Sequence, residues 1–157
     1  MARRDKYQFP WWACSLVNAA PYQGKKKGAD SGIDGLIFFQ DEPKLVKKVI
    51  VSVKGGENVT VVMIRDLAHV VEREEAQIGL LVTLAEPTAP MLKEAASAGF
   101  YASPALNRSF RKIQILTIND LLLNKAAPSF PDLTRGGLTF KKAKREKGKD
   151  KQDGFLF

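Results

Sequence analysis

Asp34 and Lys54 are the side chains in this sequence whose types and spacing suit phosphodiester hydrolysis. Asp34 sits in the turn text GIDG at the start of an apolar run, and Lys54 closes the β-branched run KVIVSVK at 48–54. A divalent metal held by a strand carboxylate neutralises charge building on a phosphate and lowers the pKa of the attacking water. A neighbouring lysine orients that water or opposes the developing oxyanion. Ser52 and Lys54 lie two residues apart and so share one strand face. Val53 turns to the other face, but its backbone carbonyl is a candidate metal ligand. On spacing alone a plainer reading stands beside this one: a turn aspartate and a lysine that snorkels from a strand.

The elements that must position these residues follow from periodicity. Phe9, Trp12, Ala13, Leu16 and Val17 recur at helical spacing, predicting a first helix with Pro10 in its first turn and Trp12 on the core stripe. Residues 33–39 read as a strand buried on both faces. Asp41, Glu42 and Pro43 then turn the chain into a second strand over 48–54, an antiparallel hairpin closed by Gly55 and Gly56. Asn58 or Thr60 caps a helix over about 61–75 whose apolar face is Ile64, Leu67, Ala68 and Val71. Residues 78–84 form a fully buried strand, and Thr88 opens a helix that Gly99 ends. Residues 113–116 form a further strand, after which Thr117 and Asp120 have capping-box spacing for a last short helix. The order α-β-β-α-β-α-β-α predicts an α/β fold, with a mixed central sheet flanked by helices.

Length and charge narrow the function. The chain has 157 residues, 45% of them hydrophobic, enough for one ordinary domain. One cysteine, Cys14, and one histidine, His69, exclude disulfide frameworks, Cys/His zinc modules and two-histidine nuclease chemistry. The first twenty residues carry too short and too interrupted an apolar run for a signal peptide. No run approaches the roughly 18 apolar residues of a membrane span. The expectation is therefore a cytoplasmic protein with no membrane partner. The net charge of +8 is uneven, since residues 135–153 hold eight basic and three acidic residues. That pattern predicts a domain over 1–134 and a basic, flexible tail over 135–157 that attracts polyanions. The tail ends in Phe155, Leu156 and Phe157, which either dock or dangle.

GADSGIDG followed by IVSVKGG resembles the catalytic core of the Mrr-like restriction endonucleases, members of the PD-(D/E)XK nuclease superfamily. YQFPWWACSLV before the core, and RDLAHVVEREEAQIGLLVT and KEAASAGFY after it, extend the resemblance over about residues 7–123. They look like the branch found beside, or fused behind, an amino-group DNA methyltransferase. No methyltransferase motif or glycine-rich cofactor loop occurs in this sequence, so the resemblance implies at most the nuclease-like partner, with the methyltransferase as a separate protein. It also implies a restriction-endonuclease-like core acting as a Mg²⁺-dependent endodeoxyribonuclease, with Mn²⁺ as a substitute, on duplex DNA in a restriction–modification setting. Asp34 would bind the metal with the Val53 carbonyl, and Lys54 would be the catalytic lysine. Ser52 departs from the pattern, because it stands where the family carries Glu, Asp or Gln. Gln8 departs likewise, at a place where such proteins often carry Glu.

A serine hydroxyl is a poor ligand for a hard cation. Either Glu72, with Glu74 and Glu75 in the last turn of the helix after the hairpin, supplies the missing acid, or the domain is a catalytically inactive DNA-binding accessory of a methyltransferase. Asp30 assists a second metal or caps its turn. Affinity for DNA would come from Lys25, Lys26, Lys27, Arg108, Arg111, Lys112 and the tail, and a homodimer would suit a substrate with two strands. Gly55 and Gly56 leave room for a DNA backbone or simply turn the chain. His69 belongs to a polar helix face. Trp11 and Trp12 suit core packing better than base stacking. A basic RNA- or ribosome-associated protein is the more distant alternative.

Overall fold

The computed structural model describes residues 2–22 and 32–131. Helix α1 spans Ala2–Leu16 and leads into a two-residue strand, β1 (Ala20–Pro21). Strands β2 (Gly35–Glu42) and β3 (Leu45–Lys54) form the expected antiparallel hairpin, turning at Pro43 and Lys44. Helix α2 (Val61–Arg73), strand β4 (Ile78–Thr83) and helix α3 (Ala89–Ser97) follow. A second hairpin, β5 (Phe100–Ser103) and β6 (Arg108–Arg111), precedes strand β7 (Ile113–Thr117) and helix α4 (Ile118–Leu122). Among the described residues the main sheet runs β1-β2-β3-β4-β7, with β5 and β6 forming a separate pair. β4 is parallel to both its neighbours, while β1, β2 and β3 are antiparallel, so the sheet is mixed as expected. No helix among the described residues is long and apolar enough to cross a membrane.

Strand alternation sorts the core into two layers. Val49, Val51 and Val53 of β3 face α1 and α4, together with Ile37, Phe39, Leu80 and Val82. Ile50 and Leu81 face α2 and α3, against Ile64, Leu67, Val71 and Met91. Every residue of β4 is buried, as a parallel strand covered on both faces must be. Thr88 caps α3 by accepting from the Met91 amide, and Thr117 caps α4 by accepting from the Asp120 amide. Gly99, at φ +91°, reverses the chain after α3 in the left-handed region.

Five expectations need correction. α1 starts at Ala2, so Pro10 is internal to the helix rather than in its first turn. The apolar stripe begins only at Phe9, which is why it misplaced the start. That packed face is Ala13, Cys14 and Val17, and both Trp11 and Trp12 lie outside it, at 43% and 44% exposure. β2 alternates buried and open positions instead of being covered on both faces, leaving Phe38 exposed. Asp41 and Glu42 belong to strand β2, not to a turn. At the start of α2, Thr60 occupies the cap position but makes no side-chain cap hydrogen bond.

Candidate functional site

Asp34 precedes β2 and is locked to the end of β3. Its amide donates to the Val51 carbonyl (2.8 Å), and one carboxylate oxygen accepts from the Val53 amide (2.8 Å). Its carbonyl accepts from the Tyr22 amide (2.9 Å). Two residues earlier, Gly32 takes φ +80°, and a Cβ there would lie 3.0 Å from Val70 Cγ2 of α2. A glycine is needed both for the backbone conformation and for this close approach. The ladder ends with Gly35 opposite Val51, and beyond it the Asp34 carboxylate on the Val53 amide sets Asp34 against the end of β3. Asp34, Ser52, the Val53 backbone and Lys54 therefore do meet at one corner of the hairpin, as expected.

The chemistry of that corner is incomplete. Ser52 is buried at 5% exposure and carries no charge. Among the described residues, no three of His, Cys, Asp and Glu come together as metal ligands. The Mg²⁺ or Mn²⁺ expectation thus meets a single carboxylate, itself engaged with the β3 backbone. Lys54 is half-buried, and its amine makes no ion pair among the described residues.

Glu72 is not brought to this corner. A helix turns 100° per residue, so Glu72 lies 200° around α2 from Val70, the side chain that touches the Gly32 turn. It shares its flank with Arg65, which faces Glu94 of α3 at 3.5 Å. Glu74 instead pairs with Lys48 (3.8 Å) and with Arg73 (3.1 Å), six strand residues back from Lys54. Gly55 is packed rather than open, because a Cβ there would lie 2.6 Å from the Phe9 ring. His69 is exposed on α2, as expected.

The expected DNA-binding residues divide. Lys25, Lys26 and Lys27 lie outside the described residues, as do Gly28, Asp30 and the segment 135–157. The flanking residues Tyr22 and Gly32 are nevertheless both anchored at the Asp34 corner. Arg108 and Arg111 are exposed on β6, stacked over Phe110 (4.9 Å) and Phe100 (5.6 Å). Lys112 accepts from the Gly79 amide at the start of β4, whereas Lys54 pairs with its end at Thr83. At roughly 3.3 Å per residue, the two basic groups stand about 15 Å apart along the strands. They do not form one surface around the hairpin corner.

Reading by motif missed a polar cluster on the other side of the sheet. Asp41 is fully buried and Lys47 nearly so, and their side chains meet at 2.8 Å. Asp41 accepts from the Tyr101 hydroxyl (2.7 Å) and the Ser103 hydroxyl (2.8 Å), while Lys47 donates to Tyr101 (2.7 Å) and Glu42 (2.9 Å). Burial by itself raises the Asp41 pKa, but the hydrogen bonds from Lys47, Tyr101 and Ser103 outweigh it and hold the carboxyl below its ordinary value. Burial likewise lowers that of Lys47, and its bonds to Asp41, Tyr101 and Glu42 reverse the shift upward. The signal was present: period-two alternation carries Ile37 and Phe39 inward to Asp41, and Val51 and Val49 inward to Lys47.

Asp34 therefore acts on this structure as a clasp. Asp34→Ala is expected to destabilise the domain by about 1.5–3 kcal/mol, the loss of a hydrogen bond to a charged acceptor. Asp34→Asn, which keeps an acceptor for the Val53 amide, should lose less. Urea titration of the three proteins decides, and equal stability throughout would refute the clasp.

Residues 15–122 match the family model described as NACHT-associated inactive Restriction Endonuclease 1. No curated protein and no solved structure matches the chain. The family match supports the restriction-endonuclease-like fold, but neither the Mrr-like branch nor association with a methyltransferase. It overturns the expectation of an active Mg²⁺-dependent endodeoxyribonuclease, since the family is described as inactive. The neutral Ser52 beside Asp34, with no three metal-ligating side chains together among the described residues, agrees with that physically. With well over half its length matched, this chain belongs to the NACHT-associated inactive restriction endonuclease 1 family.

Proposed function

We propose that this inactive restriction-endonuclease-like module binds duplex DNA without cutting it and serves a NACHT partner as its nucleic-acid contact. The observation that carries the reading is Lys54, a half-buried cation with no ion-pair partner among the described residues, placed beside Asp34 and the neutral Ser52. An acid at position 52 without its metal would repel a phosphate. Serine removes that second negative charge and leaves Asp34, whose carboxylate is held by the Val53 amide, as the acid beside the lysine. Tyr22 and Gly32, which flank the run Lys25, Lys26 and Lys27 in the sequence, are both anchored at this same corner. A phosphate backbone needs no more than this to bind, because released counterions drive the association. The NACHT association comes from the family description.

Anisotropy of a labelled duplex, titrated at several salt concentrations, tests the reading. Wild type is expected to bind with log K falling linearly in log salt, and to leave plasmid uncut with Mg²⁺ or Mn²⁺. Lys54→Ala should weaken binding on every sequence and reduce the slope by about 0.9, the value for one phosphate contact. Binding that ignores both Lys54→Ala and a triple alanine change at 25–27 would sink the proposal. So would metal-dependent nicking.

A further inference from the structure

We propose that the groove between α3 and the free edge of β7 is the seat of this chain's own Phe155–Phe157 segment, docked in the same molecule. The groove encloses about 570 Å³ and is largely apolar, with Leu92 and Ala96 of α3 on one side and Phe100 on the other. Leu92 and Phe100 are both exposed. Its floor is the consecutive run 113–116 of β7. Side chains alternate across a strand, so four neighbours in a row line a cavity only where it follows the strand's edge. β7 ends the strand order, and among the described residues that edge has no strand beside it. An open edge next to apolar pockets is the geometry that accepts an extended segment, through main-chain bonds and alternate side chains.

The chain itself is led to this place. The Gln114 amide side chain donates to the Ser129 carbonyl (2.8 Å) and accepts from the Ser129 amide (3.0 Å), holding the outgoing backbone against β7 as a strand would. Ser129 lines the groove, and the buried Phe130 and Pro131 follow it. Residues 132–157 are mostly polar and basic, and their longest apolar run is Phe155, Leu156, Phe157. In an extended segment Phe155 and Phe157 point to one side, toward the groove, and Leu156 to the other. Asp153 lies two residues before Phe155, and the groove rim carries Arg111, an opposite charge. The sequence from Ser129 to Phe155 is long enough to return to a site that begins at Ser129, since even a random coil of that length spans about 27 Å on average. Tethering of this kind corresponds to millimolar effective concentrations.

Disulfide trapping in the full chain tests the docking. Cysteines are placed at Leu92→Cys and Gly154→Cys, and in a control at Val62→Cys and Gly154→Cys, where Val62 is an exposed residue of α2. The native Cys14 is buried, with its thiol pushed up to about 11 by burial and then by the Asp34 charge, so it stays out of the exchange. The expected result is an intramolecular 92–154 bond forming at least ten times faster than the 62–154 control. Equal rates overturn the proposal, and a cross-linked dimer overturns it in favour of a second copy in the groove. As an independent readout, Phe155→Asp with Phe157→Asp should speed amide exchange in 113–117 about tenfold or more, and unchanged exchange overturns the proposal as well.

Discussion

Lys47→Met is expected to destabilise the domain by about 3–5 kcal/mol, the usual effect of stripping one partner from a buried ion pair. Asp41 would be left fully buried with its charge uncompensated, held only by the Tyr101 and Ser103 hydroxyls. Adding Asp41→Asn should recover more than half of the loss. The amide carbonyl still accepts from both hydroxyls, and no buried charge remains. Urea unfolding of the two single variants and the double variant measures this as a coupling energy. Simple additivity would show that the pair is not a unit.

The same cluster sets a pH dependence. In wild type the folded Asp41 pKa lies below its ordinary 3.8, so its contribution is present above that value and is lost as pH falls through the folded pKa. The Lys47 pKa is raised above 10.5, so its contribution is present below that value and is lost as pH rises through the folded one. In Lys47→Met the hydrogen bond and charge that lowered Asp41 are gone and burial prevails. The carboxyl then favours its proton, and the variant's deficit should shrink toward pH 3. A deficit constant from pH 7 to pH 3 would contradict this assignment.

Leu80→Ala should cost about 2–5 kcal/mol, the range for a large-to-small change in a closed core. Leu80 is fully buried in β4, the strand with parallel neighbours on both sides, and its side chain joins the layer under α1 and α4. Because α2, β3 and β7 all pack on β4, the layers cannot collapse onto the missing atoms without moving several elements. Leu84→Ala just past the strand end, at an exposed position, is the matched control and should change stability by less than about 0.5 kcal/mol. Comparable losses at the two sites would mean that the sheet core is not as closed as the burial of β4 indicates.

Much of the fold was legible because its signals are local. Thr88 and Thr117 cap their helices where the text places them, and Gly99 stops α3, since capping is decided within four residues. The antiparallel hairpin was legible from β-branched runs around a turn, though its turn lies at Pro43 and Lys44 rather than at Asp41 and Glu42. Ser52 was visible as a break in the metal-binding pattern, yet the motif around it led to the expectation of an active enzyme, and it was the family match that overturned it. Asp34 and Lys54 come to one corner because the Asp34 carboxylate and amide bond to the end of β3.

Other features had no local signal. The short strands β1, β5 and β6 carry little periodicity, and they form because they find partners, not because four residues prefer to be extended. Trp12 fits a helical stripe as well as Ala13 does, and only the close packing of Cys14 and Ala13 on the hairpin shows which side of α1 faces inward. Arg108, Arg111 and Lys112 looked like companions of Lys54 in a list of cations. The parallel register of β4 with both neighbours puts Lys112 at the opposite strand end, and Arg108 and Arg111 belong to the separate β5-β6 pair.

By itself, then, the sequence determined the order of the elements, the hairpin corner and the missing acid at Ser52, since periodicity, caps and motif positions are properties of neighbouring residues. Only the tertiary structure decided that Asp41 and Lys47 share a buried cluster with Tyr101 and Ser103, residues some 60 positions away from Asp41. It alone also decided that Glu72 faces away from Asp34. Such pairings are set by sheet register and by the rotation of a packed helix, which depend on how distant surfaces fit and leave no trace in local spacing.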